Sequence, residues 1–201
     1  MRRGSIRHLA GLLRAENNEA GDSFGQFGYE HYYGEDSRWT RRTVLTAEGF
    51  LVVADEYVPG KPLGVDYQAG PVWHLAPGAG VEAGLSERNW FDAPAFDRAW
   101  WKKDELRVLL FFHDDKVLKF GSLEKAQTQD AYANITTFAF RPVVAGRPER
   151  FLSVLVPHGS DSAAAQVAAK VQTSITDPGA FTATISGVKV RIGNGKWSVG
   201  R

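Results

Sequence analysis

Apolar and polar residues alternate along most of this chain with a period of two. Trp39-Thr40-Arg41-Arg42-Thr43-Val44-Leu45 and Phe50-Leu51-Val52-Val53-Ala54-Asp55-Glu56 are two such runs, separated by Ala47-Glu48-Gly49. Two β-type runs around a glycine-containing turn predict a hairpin. The same pattern predicts strands over 39–46, 50–58, 64–76, 80–84, 105–112, 116–120, 132–143, 150–157, 181–185, 188–192 and 196–199. Short strands punctuated by Gly, Pro and Asp predict an all-β fold, an antiparallel sandwich or barrel.

Three stretches depart from that period. Ile6, Leu9, Leu12 and Leu13 recur at helical spacing, so residues 5–16 read as a short amphipathic helix within an N-terminal arm, 1–28. Residues 17–37 are polar, Gly-rich and aromatic, a loop with room for one short strand. Ser160-Asp161-Ser162 before Ala163-Ala164-Ala165-Gln166-Val167-Ala168-Ala169-Lys170 supplies an N-cap and strong helix formers, predicting a helix of about ten residues. After it the chain reads as a small meander. Gly193-Asn194-Gly195-Lys196 carries the Asn-Gly pair of a tight hairpin with positive φ at both turn positions.

Composition narrows the partners. The 201 residues suit one large β domain, and 43% hydrophobic content supplies an ordinary core. Because 24 basic and 23 acidic side chains nearly cancel, no general polyanion-binding field follows and nucleic acid is not an expected partner. A local group of arginines can still hold an acidic polysaccharide or oligosaccharide. With no cysteine, disulfides and thiolate metal sites are excluded. No apolar run reaches the ~20 residues that span a bilayer, so no membrane is expected. Arg14 interrupts the only apolar stretch after the basic N-terminus, so no signal peptide is read.

Candidate chemistry concentrates in Gly28-Tyr29-Glu30-His31-Tyr32-Tyr33-Gly34, followed by Arg38, Arg41 and Arg42. Elimination at a uronic acid needs a base such as His or Tyr for the proton next to the carboxylate. It also needs cations or hydrogen-bond donors for the charge that develops there. Tyr29, His31, Tyr32, Tyr33 and Arg38 are therefore candidate substrate contacts, set against a plain reading as a Tyr-rich loop packed on the sheet. Trp100, Trp101 and Lys102 form a second candidate, an aromatic and basic patch that stacks on a sugar or covers one end of the fold. If 39–46 is a strand, Arg41 and Arg42 belong to opposite faces. One can then pair with Asp55 or Glu56 on the neighbouring strand. His31, Asp55 and His74 are zinc-compatible types, but their wide spacing matches no compact ligand pattern, so no metal is assigned. Asn134-Ile135-Thr136 has the form of a glycosylation acceptor, but it lies in an expected strand and is discounted. The chain has no nucleophile elbow, phosphate loop or dinucleotide fingerprint.

The order of these pieces resembles the C-terminal β-sandwich of heparinase II/III-like polysaccharide lyases, which include alginate and oligoalginate lyases. Residues 39–45 and 51–55 resemble that family's paired strands, and Trp73-His74-Leu75-Ala76-Pro77 resembles a third. Phe151-Leu152-Ser153-Val154-Leu155-Val156-Pro157 is similar to a late strand, and Gly195-Lys196-Trp197-Ser198-Val199 to the closing one. The resemblance spans roughly 29–201 and implies a sandwich there. It also implies β-elimination on a uronic-acid-containing polysaccharide, without an organic cofactor, and a periplasmic or secreted setting. Complete family members place an α/α toroid before the sandwich, and the toroid supplies most catalytic groups. This chain lacks the length for one and lacks the family's "GHxHxD" and "HNT" runs, so catalytic residues stay unassigned. A chain of this kind is expected to be weak or inactive alone. The alternatives are a non-catalytic carbohydrate-binding module and a structural sandwich that docks on a toroid.

Overall fold

A computed structural model describes residues 9–30, 36–60, 68–75, 81–85, 98–103, 106–113, 119–122, 135–159, 166, 169–176, 179–193 and 195–201. In chain order its strands are β1 (Leu9–Asn17), β2 (Ser23–Glu30), β3 (Arg38–Leu45), β4 (Leu51–Val58), β5 (Gln68–Ala69) and β6 (Val72–Leu75). Then come β7 (Val81–Leu85), β8 (Arg98–Lys103), β9 (Leu106–Phe112), β10 (Lys119–Ser122) and β11 (Ile135–Pro142). The last are β12 (Glu149–His158), β13 (Val171–Thr176), β14 (Ala180–Ile185), β15 (Val188–Gly193) and β16 (Lys196–Gly200).

Eight strands form one sheet in the order β1-β2-β3-β4-β12-β9-β8-β7. A four-stranded meander, β13-β14-β15-β16, forms a second, and β10, β11, β5 and β6 form a third group. All the pairings are antiparallel. The all-β sandwich read from the period-two pattern is the observed architecture.

The main core lies between the large sheet and the meander. Phe24, Val44, Val52, Ala54, Leu109, Phe111, Leu152, Val154 and Val156 come from the sheet, and Phe181, Ala183, Ile185, Val190 and Ile192 from the meander. Alternation along each strand puts these residues on one face, called inner below. Trp197 closes one edge, stacking on Phe24 with ring centroids 5.8 Å apart. The central strands β4 and β12 are buried on both faces, because Val53, Asp55, Tyr57, Phe151 and Ser153 on the outer side are also buried.

Turn chemistry follows the sequence. Gly49 at φ 85° closes the β3–β4 hairpin, with its N–H donating to the Thr46 carbonyl at 2.8 Å. Ser186 and Gly187, both at positive φ, join β14 to β15 as a two-residue turn. Gly193 pairs with Lys196 across the Asn-Gly turn, and Gly195 is at φ 72°.

Residues 9–16 correct the expected helix: they are strand, paired along their length with β2. The register shifts between Leu12 and Arg14, and this bulge breaks the phase of alternation. One inserted residue in a period-two pattern yields the i, i+3, i+4 spacing of Leu9, Leu12 and Leu13, which mimics a helix. The expected loop 17–37 contains an eight-residue strand, β2. The expected strand 64–76 is broken into β5 and β6 around Gly70-Pro71, since Pro71 offers no N–H to a ladder. Nearly all of the expected helix 160–170 lies outside the described residues.

Candidate functional site

The β3–β4–β12 ladder sets Arg41 opposite Asp55 and Asp55 opposite Phe151 on the outer face. Asp55 has no exposed surface. Arg41 donates to both its oxygens, from Nε at 2.8 Å and Nη2 at 2.9 Å, and the Trp39 indole N–H donates to Oδ1 at 2.8 Å. The Trp39 ring stacks on Phe151 and tilts against Tyr57. The carboxylate is thus neutralised by a forked cation and shielded by rings, an arrangement that fixes three strands. It leaves Asp55 committed to Arg41 and Trp39. Among the described residues no group of three or more His, Asp or Glu side chains is placed to hold a metal ion.

The expected division of the adjacent arginines is observed, with Arg41 on the outer face and Arg42 on the inner. Glu56, next to Asp55 in sequence, accepts from Arg150 Nε at 3.0 Å across the β4–β12 pair.

At the open end of β2, β3 and β4 is a depression of about 420 Å³ lined by Glu30, Asp36, Ser37, Arg38 and Val58. Cross-strand register places Glu30 opposite Arg38 and Arg38 opposite Val58. Arg38 is exposed, and Ser37 is almost fully buried. Tyr29 precedes Glu30 but sits opposite Trp39, on the other face of the sheet. His31, Tyr32 and Tyr33 lie outside the described residues.

The second candidate group is elsewhere. Trp100, Trp101 and Lys102 were expected to precede a strand, but they belong to one, β8. Five strand spacings separate β2 from β8, ~24 Å across the sheet. Tyr29 is level with Trp39, Tyr57 and Glu149, whereas Trp100 is level with Leu109 and Val156, further along β12. Among the described residues, Tyr29 and Arg38 are therefore not brought beside Trp100, Trp101 and Lys102.

At the other end of the sheet is a charged cluster that the sequence reading missed. Asp22, fully buried in the β1–β2 turn, accepts from Arg201 Nη2 at 2.7 Å, the Ala47 N–H at 2.9 Å and Asn18 Nδ2 at 2.8 Å. Burial alone pushes the Asp22 carboxyl up. The hydrogen bonds from Arg201, Asn18 and Ala47 outweigh it, and the group is held below its ordinary value. Arg201 Nε also donates to Glu48 at 2.6 Å, which lowers the Glu48 carboxyl. Arg201 itself is raised by the two acids. Nearby, Glu16 is lowered by hydrogen bonds from Arg14 and then Trp197. No local pattern links Asp22 to Arg201, so only the fold reveals the cluster.

The sequence matches no family model, and no curated protein matches it. The fold does find counterparts. The structure superposes on a crystal structure of heparinase III with a TM-score of 0.63 at 14% sequence identity. It superposes on heparan sulfate lyase HepC from Pedobacter heparinus at 0.62 and 12%. A third counterpart is a heparinase III-BT4657 gene product with methylated lysines, at 0.62 and 9%. This chain carries a heparinase III-type β fold. In each case the match covers 91% of this chain and 27% of the other, so the chain spans about a quarter of the length of those proteins. Within the heparinase III-type fold, three stretches that carried the sequence resemblance become neighbours. Residues 39–45, 51–55 and 151–157 form β3, β4 and β12, adjacent at the centre of the large sheet. Trp73 to Leu75 lie in β6, paired with β11.

Proposed function

We propose that this chain is the β-sandwich portion of a polysaccharide lyase acting on a uronic-acid-containing polysaccharide, inactive or weak without a catalytic α/α toroid. In the reaction a base takes the proton next to the uronate carboxylate, the β glycosidic C–O bond breaks, and a C=C bond forms. The leaving oxygen is then protonated. The observation that carries this reading is the fold match to proteins named as heparinase III and heparan sulfate lyase, confined to 27% of their length. The site geometry supports the subordinate role. Asp55 and Arg41, the most strongly linked acid and base of the central hairpin, bond to each other. In this reading Tyr29, His31, Tyr32, Tyr33 and Arg38 contribute glycan contacts, and Trp100, Trp101 and Lys102 contribute others.

A non-catalytic carbohydrate-binding module is the second reading, favoured by the open depression around Arg38. Two measurements on the purified chain test what the readings share, and a third separates them. Affinity electrophoresis in gels containing heparin, alginate or a neutral glycan is expected to show retardation by the acidic polymers alone. Ultraviolet absorbance of the unsaturated product is expected to stay flat. A sustained rise would sink the claim of dependence on a toroid. Mobility unchanged in every acidic gel would sink the claim of glycan contact. If a toroid added in trans restores turnover, the lyase reading prevails over the binding module.

A further inference from the structure

The inner face of the large sheet changes character along its strands. Under the meander it is apolar, with Phe24, Val44, Val52, Leu152 and Val154. The same alternation carries that face on through Gln26 and Gly28 on β2, Arg42, Thr40 and Arg38 on β3, and Glu56 on β4. The meander's turns end beside this stretch. A Cβ added to Gly179, in the β13–β14 turn, would lie 2.9 Å from Arg150 Nε. The Gly195 carbonyl, in the β15–β16 turn, accepts from Arg14. What continues past the turns is a polar shelf that leads to the depression at Arg38.

The arginines of this shelf differ in how they are bonded. Arg150 is tied to Glu56, and Arg14, opposite Gln26, is tied to Glu16 and the Gly195 carbonyl. Arg42 is half-buried, and its Nε is withdrawn from solvent with no hydrogen-bond partner among the described residues. Arg38 is exposed and enters no ion pair among them. The carboxylates on the same face are Glu56, held by Arg150, Glu16, held by Arg14 and Trp197, and Glu30, level with Arg38. Asp36 also lines the depression. Buried guanidinium N–H groups ordinarily find an acceptor, because leaving one desolvated and unbonded costs free energy. The amide side chain of Gln26 is directly opposite Arg42 on the same face, a second donor beside the first.

We infer that Arg42, with Gln26 beside it and Arg38 further along β3, forms an anion subsite for the carboxylate or sulfate groups of an acidic glycan. This rests on the reading that the sandwich meets such a polymer. A guanidinium offers a planar fork to either group. Arg38 and Arg42 are four residues apart on one strand, ~13 Å, so they meet anionic groups on different sugar units of one chain.

The test compares Arg42→Gln, Arg38→Gln and the exposed meander variant Arg191→Gln with wild type. Binding to a heparin oligosaccharide and to an alginate oligosaccharide is measured by calorimetry, and stability by urea unfolding. Arg42→Gln is expected to bind about tenfold more weakly, equivalent to ~1.4 kcal/mol, with a urea midpoint no lower than that of wild type, because removing a buried donor that lacks an acceptor forfeits no hydrogen bond. Arg38→Gln is expected to lose about threefold and Arg191→Gln nothing. Weakening toward heparin alone assigns the subsite to sulfate, and weakening toward both assigns it to carboxylate. If Arg42→Gln folds and binds within twofold of wild type, the inference is wrong. If it does not fold, Arg38→Gln decides, and unchanged binding there overturns the inference. A wild-type chain that binds neither oligosaccharide overturns the glycan reading as well.

Discussion

Asp55 accepts three hydrogen bonds with no exposed surface, and each donor comes from β3. Removing it leaves a guanidinium and an indole N–H without their acceptor under the Trp39–Phe151 stack. Breaking one side of a buried pair costs about 3 kcal/mol. Asp55→Ala is accordingly expected to lower unfolding free energy by about that amount in urea titrations, and a loss under 1 kcal/mol would show that the pair is not structural. This residue also shows what local sequence can reveal of a site. The Arg41–Asp55 pairing was legible, because strand alternation and hairpin register are local rules. That Arg42 Nε is buried without an acceptor among the described residues was not, because it depends on which groups of other strands pack around it. The grouping of Tyr29 with Arg38 read as one loop, yet strand alternation puts them on opposite faces.

At the scale of elements, the strongest signals were the ones with the simplest pairing. β3, β4, β12, β14, β15 and β16 all match expected strands within a residue or two: β14, β15 and β16 alternate cleanly in exposure, and β4 and β12 are short apolar runs buried on both faces. β1 failed through its bulge. β13, Val171-Gln172-Thr173-Ser174-Ile175-Thr176, was overlooked although its residues alternate in exposure as a strand's should. Its short β-branched run begins directly after the expected helix, which ends at Lys170, and belongs to no expected element. The turn that follows β13 has a strict requirement of its own. Gly179 is at φ 96°, and a Cβ there would lie 2.9 Å from Arg150 Nε and 3.3 Å from Glu56 Oε2. Gly179→Ala combines left-handed strain with disruption of that ion pair and is expected to cost about 2 kcal/mol. A thermal melt unchanged from wild type would contradict it.

Across the whole molecule, the Asp22–Arg201–Glu48 cluster ties the residue after β16 to two hairpin turns at the end of the large sheet opposite the depression. Its pH dependence has a definite sign. Asp22 and Glu48 ordinarily titrate at 3.8 and 4.5, and both are held lower in the folded protein. The unfolded chain therefore takes up protons first as acid is added. The stabilisation is complete above those ordinary values and is lost as pH falls through the lower folded ones. Urea midpoints are expected to hold steady from neutral pH and then drop in acid. Arg201→Gln should start lower at neutral pH and drop less steeply, whereas parallel curves would remove Arg201 as the cause.

The layering of the sandwich also sets a schedule for synthesis. Phe24, Val44 and Val52 belong to strands complete within the first 58 residues, yet Phe181, Ile185, Val190 and Ile192, which cover them, come from the final stretch. A chain emerging from the ribosome holds a finished hairpin with a bare apolar face while the meander that covers it is still to be made. Such faces are what holding chaperones bind and what aggregation begins from. Productive folding of the sandwich thus waits on β14 and β15, and a product lacking them would carry a sticky sheet rather than a smaller version of the same fold.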